Sequence, residues 1–92
     1  MIRSFRSKAL RRFAETGDAS RLSVQNPRRL ARMLNQLSVV SRPEDLNLPG
    51  YRFHGLKGDR AGRYALDASA NYRLTFGWDG LDAIDVDLED CH

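Results

Sequence analysis

Two hydrophobic spacings divide the chain. Before residue 40 the apolar positions recur at helical intervals. Ser7 is positioned to cap a helix running to about Thr16, with Leu10 and Phe13 turned inward and Gly17 as its stop. Asn26-Pro27 is a cap followed by a proline whose missing N–H costs nothing at the first helical position, and it predicts a second helix to about Val39. Leu30, Met33, Leu34 and Leu37 fall at i, i+3, i+4 and i+7, so they form one core stripe, with Arg28, Arg29 and Arg32 read as lying away from it. Residues 43–50, with two prolines and Gly50, read as a loop. From Tyr51 onward the period is two: Tyr51 to His54, Arg63 to Ala68, Tyr72 to Phe76 and Ile84 to Glu89 predict four strands, the last two joined by a tight turn at Asp79-Gly80. With a short opening strand at Ile2–Phe5 the order is β-α-α-β-β-β-β. An α+β domain follows, its two helices packed on one face of a twisted, mainly antiparallel sheet whose other face is left for function.

Length and composition narrow the functional classes. Ninety-two residues predict a single domain over 1–92, with one thin core and no room for a deep enclosed pocket. The single Cys91 has no internal disulfide partner, no Cys/His cluster has zinc spacing, and no apolar run is long enough to span a membrane. A soluble cytoplasmic protein is expected, with no metal and no cofactor. Its net charge of +3 conceals an asymmetry. Residues 1–42 carry ten basic and two acidic side chains, net +8, whereas 43–92 carry five and ten, net −5. A basic half favours a polyanion such as nucleic acid. A surface on which basic helices neutralise acidic strands explains the same numbers.

The motifs of nucleotide hydrolysis, acyl transfer by a serine elbow and zinc proteolysis are absent. What remains is two histidines and two cations. His54 alternates with Tyr51 and Phe53 and is expected on the face that the helices leave open; His92 is the last residue, beside Asp90. Lys57 continues the His54 strand, and Arg73 lies on the outward side of a central strand. Such a set suits phosphodiester cleavage by a neighbouring 2′-hydroxyl, which needs a base, an acid and cations around the transition state. Ion pairing of Lys57 and Arg73 with Asp59, Asp67 or the acidic last strand is the structural alternative.

Several segments taken in order carry a family resemblance: Ile-Arg-Ser-Phe-Arg at the start, Glu44 to Gly50, His54-Gly55-Leu56-Lys57-Gly58-Asp59, Asn71 to Phe76, and Asp87 to His92. Along its whole length the chain resembles the HigB-type toxins of the RelE/ParE superfamily, the plasmid maintenance killer proteins. The resemblance implies a RelE-like microbial ribonuclease fold and a type II toxin that cleaves mRNA in the ribosomal A site by metal-independent acid–base chemistry. It implies a helix-turn-helix antitoxin of the HigA type as partner, with operator DNA reached only through that antitoxin. It places His54, Asp90 and His92 as the proton-transfer set, and Lys57 and Arg73 at the phosphate. Cys91 stands in the substrate-binding stretch where the family commonly has tyrosine, and it offers neither a ring to stack nor more than a weak donor. Lys8, Arg11, Arg12, Arg28, Arg29 and Arg32 then have an expected role in docking to ribosomal RNA phosphates. The rival expectations are a non-enzymatic binding toxin, as in the ParE branch, and a weakened member acting as co-regulator with its antitoxin.

Overall fold

In the computed structural model, which describes residues 1–90, both helices begin and end where their caps are. The Ser7 hydroxyl accepts from the Leu10 amide at 3.1 Å and opens α1 (Lys8–Thr16), which Gly17 closes in the left-handed conformation, its N–H bonding the Phe13 carbonyl at 2.8 Å. The Asn26 side chain accepts from the Arg29 amide at 3.1 Å and opens α2 (Pro27–Val39). Leu30, Met33, Leu34 and Leu37 are all buried, as their spacing predicts.

Four antiparallel strands follow, β1 (His54–Gly55), β2 (Arg63–Asp67), β3 (Tyr72–Asp79) and β4 (Asp82–Asp90), side by side in sequence order. Gly80-Leu81 joins β3 to β4, with Gly80 at a φ of 64°, a two-residue hairpin that needs glycine at its first position. Leu66, Leu74, Phe76 and Val86 turn to the helices and form one core with the α2 stripe, Leu10 and Phe13. The two helices therefore cover one face of the sheet.

The structure departs from the sequence reading in four places. The opening strand is reduced to two isolated parallel bridges, Ile2 to Ala83 and Phe5 to Val86, because a bulge in β4 puts Asp85 at a φ of 49° and sends its amide to the Ser4 hydroxyl. The segment still covers the outer edge of β4. In the loop after α2, Pro43–Leu46 forms a 3₁₀ turn that seats Leu46 in the core. Lys57 does not prolong β1 but precedes a second 3₁₀ turn, Gly58–Arg60.

The fourth departure shapes the site. Tyr51 to Phe53 does not form strand, because Arg52 has a φ of 52°. This conformation costs a non-glycine residue about 1–2 kcal/mol. Anchors on both sides impose it. Tyr51 is buried, its hydroxyl donates to Gln36 and its carbonyl accepts from the Asp67 amide at 2.8 Å. Two residues after Arg52, His54 is paired with Ala65. The chain has only Arg52 and Phe53 in which to turn from core to sheet edge, and Phe53 is stacked on Tyr64 with ring centroids 5.6 Å apart.

Candidate active site

Residues paired across antiparallel strands share a face. His54, Ala65, Thr75 and Asp87 therefore form one row on the face turned from the helices, with Asp67, Arg73 and Glu89 as the next row. His54 is exposed there, as its alternation predicts. Ala65 and Thr75 are buried beneath the longer side chains around them.

Arg52, Phe53, His54, Asp67, Ser69, Ala70 and Arg73 line a groove of about 560 Å³ at this end of the sheet. The Nδ1 atom of His54 lies 2.8 Å from the Arg52 carbonyl oxygen. Arg73 has both strand neighbours of opposite charge, yet neither is paired with it. The Asp67 carboxylate faces the Arg52 guanidinium at 3.6 Å, and Glu89 accepts from Arg60 at 2.5 Å and from the Thr75 hydroxyl. Among the described residues Arg73 has no carboxylate within 4 Å, and its Nε is buried without a partner. The ion pairing considered as its alternative role is thus taken up by Arg52 and Arg60, and Arg73 is left as a cation facing the groove.

Charge beside the groove is held in a fixed network. Arg63 bonds the Thr75 hydroxyl at 3.2 Å and the Asp85 carbonyl at 2.9 Å. Burial, and then the neighbouring Arg6 cation, bring its guanidinium below the ordinary arginine value. Partial burial pushes the Glu89 carboxyl up, but the bonds from Thr75 and Arg60 outweigh it and hold the group below the usual carboxylate range. Glu89 therefore stays anionic and occupied.

The other expected residues are placed less centrally. Asp90 ends β4 in register with Tyr72, on the alternate side from Glu89, and it is not among the residues lining the groove. Lys57 is exposed, and it too is outside that lining. Cys91 and His92 lie outside the described residues. Of the basic helix positions, Lys8, Arg28 and Arg32 are exposed with no acidic partner within 4 Å among the described residues, while Arg11 pairs with Glu15 at 3.4 Å and Arg12 with Asp18 at 2.7 Å. Arg29 corrects the sequence reading. Its guanidinium is turned inward, donating to the Gly50 carbonyl at 2.6 Å and to the Asp67 carbonyl at 3.0 and 3.3 Å, and it lies 5.1 Å from the centre of the Tyr51 ring. Arg52, Asp67 and Ser69 were not recognised as site residues from sequence, and only the path of the chain through residues 50–55 and 67–73 reveals them.

Comparison with known proteins places the chain in a family. The pattern defining the RelE-like toxin of type II toxin–antitoxin system HigB matches residues 3–92. The chain belongs to this family. The HigB-like toxin described here is 35% identical over 92 residues to "Endoribonuclease HigB" of Proteus vulgaris, covering 100% of both chains. Its fold is similar to that of a solved structure, the YoeB/ParE toxin from Agrobacterium tumefaciens, with a TM-score of 0.51 at 16% identity over 96% of this chain and 99% of that one. A HigB-like toxin of a type II system has an antitoxin as its partner. Among the described residues no helix is long and apolar enough to cross a membrane.

Proposed function

We propose that this toxin is an endoribonuclease that cuts mRNA in the ribosomal A site and stops translation, by acid–base chemistry that needs no metal. The observation that carries the reading is the groove that joins His54 to Arg73, a cation without a carboxylate partner among the described residues. A scissile phosphate held by Arg73 sets the adjacent 2′-hydroxyl beside His54 in the groove, and the family resemblance adds Asp90 and His92 to the proton-transfer set of this reading. The 2′-oxygen attacks phosphorus, its proton passes to a base of that set, the bond to the 5′ oxygen breaks, and an acid of the set protonates that oxygen. Arg73, with Lys57 at the approach, stabilises the added negative charge in the transition state. Cys91 contributes to the substrate-binding stretch. The relative named endoribonuclease supports the same reaction class.

The reading extends to partners. The antitoxin is of the helix-turn-helix HigA type and connects the toxin to operator DNA. Lys8, Arg28 and Arg32, together with the solvent-exposed Arg11 and Arg12, dock on ribosomal RNA in the cytoplasm, since exposed ion pairs such as theirs are weak and readily exchanged for phosphates. Analysis of the cut ends tests the chemistry. Attack by the 2′-hydroxyl leaves a 2′,3′-cyclic phosphate and a 5′-hydroxyl; a 5′-phosphate and free 3′-hydroxyl refute it. Growth arrest without any cut RNA supports the binding toxin instead, and harmless expression supports the co-regulator.

A further inference from the structure

The imidazole of His54 is oriented by the backbone two residues before it. Nδ1 is 2.8 Å from the Arg52 carbonyl oxygen. A carbonyl oxygen only accepts, so Nδ1 carries the hydrogen in this bond. A neutral imidazole has one N–H, which leaves the Nε2 atom with its lone pair open. In an extended strand the carbonyl two residues back lies in the plane of the sheet, away from the side chain. Here the left-handed turn at Arg52 swings that carbonyl to the ring. The turn is fixed from both ends, by the buried Tyr51 bonded to Gln36 and Asp67, and by His54 paired with Ala65.

We propose that Arg52 is a positioning residue: its left-handed backbone aims its carbonyl at His54 Nδ1 and so fixes the tautomer whose Nε2 lone pair removes the 2′-hydroxyl proton. What Nε2 does rests on the ribonuclease reading; the tautomer itself does not. In the step, the proton moves from the 2′-oxygen to Nε2 as the new P–O bond forms. The 5′ oxygen leaves with a proton from the acid of the site. The Arg52 side chain, 81% exposed and 3.6 Å from Asp67, is separable from its backbone.

Four proteins test this: the wild type, Arg52→Gly, Arg52→Val and Arg52→Ala. Glycine takes a positive φ freely, β-branched valine strongly resists it, and alanine, with the same Cβ as arginine, removes the guanidinium and leaves the backbone cost unchanged. All three variants lack the guanidinium, so charge cancels in the comparison. Long-range ¹H–¹⁵N spectra of the His54 ring at pH 8 are expected to show hydrogen on Nδ1 in the wild type and Arg52→Gly. In Arg52→Val the ring is expected to shift to the Nε2–H form, while Arg52→Ala keeps the wild-type form because the anchors hold its backbone as they hold arginine's. The kcat for cleavage is expected to fall roughly fivefold from Arg52→Gly to Arg52→Val, with KM unchanged, because the Nε2–H form has no lone pair at the reacting nitrogen. A folded Arg52→Val protein that keeps the hydrogen on Nδ1, or an Arg52→Ala protein that loses it, would overturn the proposal. Equal cleavage by Arg52→Gly and Arg52→Val overturns the positioning role and leaves the ribonuclease reading intact. The expected tautomers in a wild type that cuts no RNA overturn the catalytic half together with that reading.

Discussion

Replacing Arg29 by alanine separates a structural role from a docking role. Arg29 projects from the first turn of α2 and donates to the Gly50 carbonyl at 2.6 Å and the Asp67 carbonyl at 3.0 Å, with a longer bond to Asp67 at 3.3 Å. Its guanidinium also lies 5.1 Å from the Tyr51 ring centre. A charge-assisted bond to a partly buried carbonyl contributes about 1.5 kcal/mol net, and a half-exposed cation–π contact about 0.5–1 kcal/mol. The Gly50 carbonyl, near the surface, turns to water when the arginine is removed, so that bond adds little. The sum is about 2–2.5 kcal/mol. For a chain of this size it corresponds to a Tm lower by about 8–20 °C. Urea unfolding followed by far-ultraviolet circular dichroism measures it, with the midpoint falling and the slope unchanged. Arg28→Ala and Arg32→Ala, on exposed positions of the same helix, are expected to stay within about 0.5 kcal/mol of the wild type. If Arg29→Ala is as stable as these two, the inward anchor has no energetic weight and the reassignment of Arg29 away from the docking surface is wrong.

Other consequences follow from the same geometry. Phe76, fully buried at the centre of β3 between the Tyr64 and Trp78 rings, is expected to cost about 3–5 kcal/mol on replacement by alanine, read as a lower urea midpoint. Arg73→Ala is expected to slow cleavage about 100-fold or more while stability changes by less than about 1 kcal/mol, since it forms no ion pair among the described residues; an unchanged rate would remove it from the site. The hydrogen bond from Arg3 lowers Asp82, and that from Arg12 lowers Asp18, below the usual carboxylate range. Their contributions are complete above the unfolded value near pH 4 and are lost as pH falls through the lower folded values. The urea midpoint is therefore expected to decline below about pH 4. Asp82→Asn should make that decline shallower, and an unaltered acid limb would show that the Arg3 link does not hold the N-terminal segment to β4. Charge reversal at Arg28 and Arg32 is expected to reduce co-sedimentation with ribosomes; unchanged sedimentation rejects these positions as docking residues.

The elements legible in the sequence were those set by local rules. Asn26-Pro27, Gly17 and Asp79-Gly80 each satisfy a backbone requirement of their own, and the structure puts a helix start, a helix stop and a hairpin at those positions. The face of His54 was legible from alternation, even though the strand that carries it is only two residues long. Arg52 was not, because arginine has no preference for positive φ. The turn is imposed by Tyr51 in the core on one side and the β1–β2 pairing on the other. Arg29 carries the same side chain as Arg28 and Arg32, and only the approach of the Gly50 and Asp67 carbonyls to α2 distinguishes it. The openness of Arg73 likewise depends on which cations its acidic strand neighbours choose, Arg52 for Asp67 and Arg60 for Glu89. Spacing along the chain contains none of that information.

The most direct test of the account is primer extension on an mRNA in a purified translation system, with wild type, His54→Ala, Arg73→Ala and a chain ending at Cys91. The account predicts new cuts that require ribosomes, appear with wild type and vanish in all three variants. Arrest of translation or growth by the wild type with no cut in the message would contradict it and make the toxin a binder of another target.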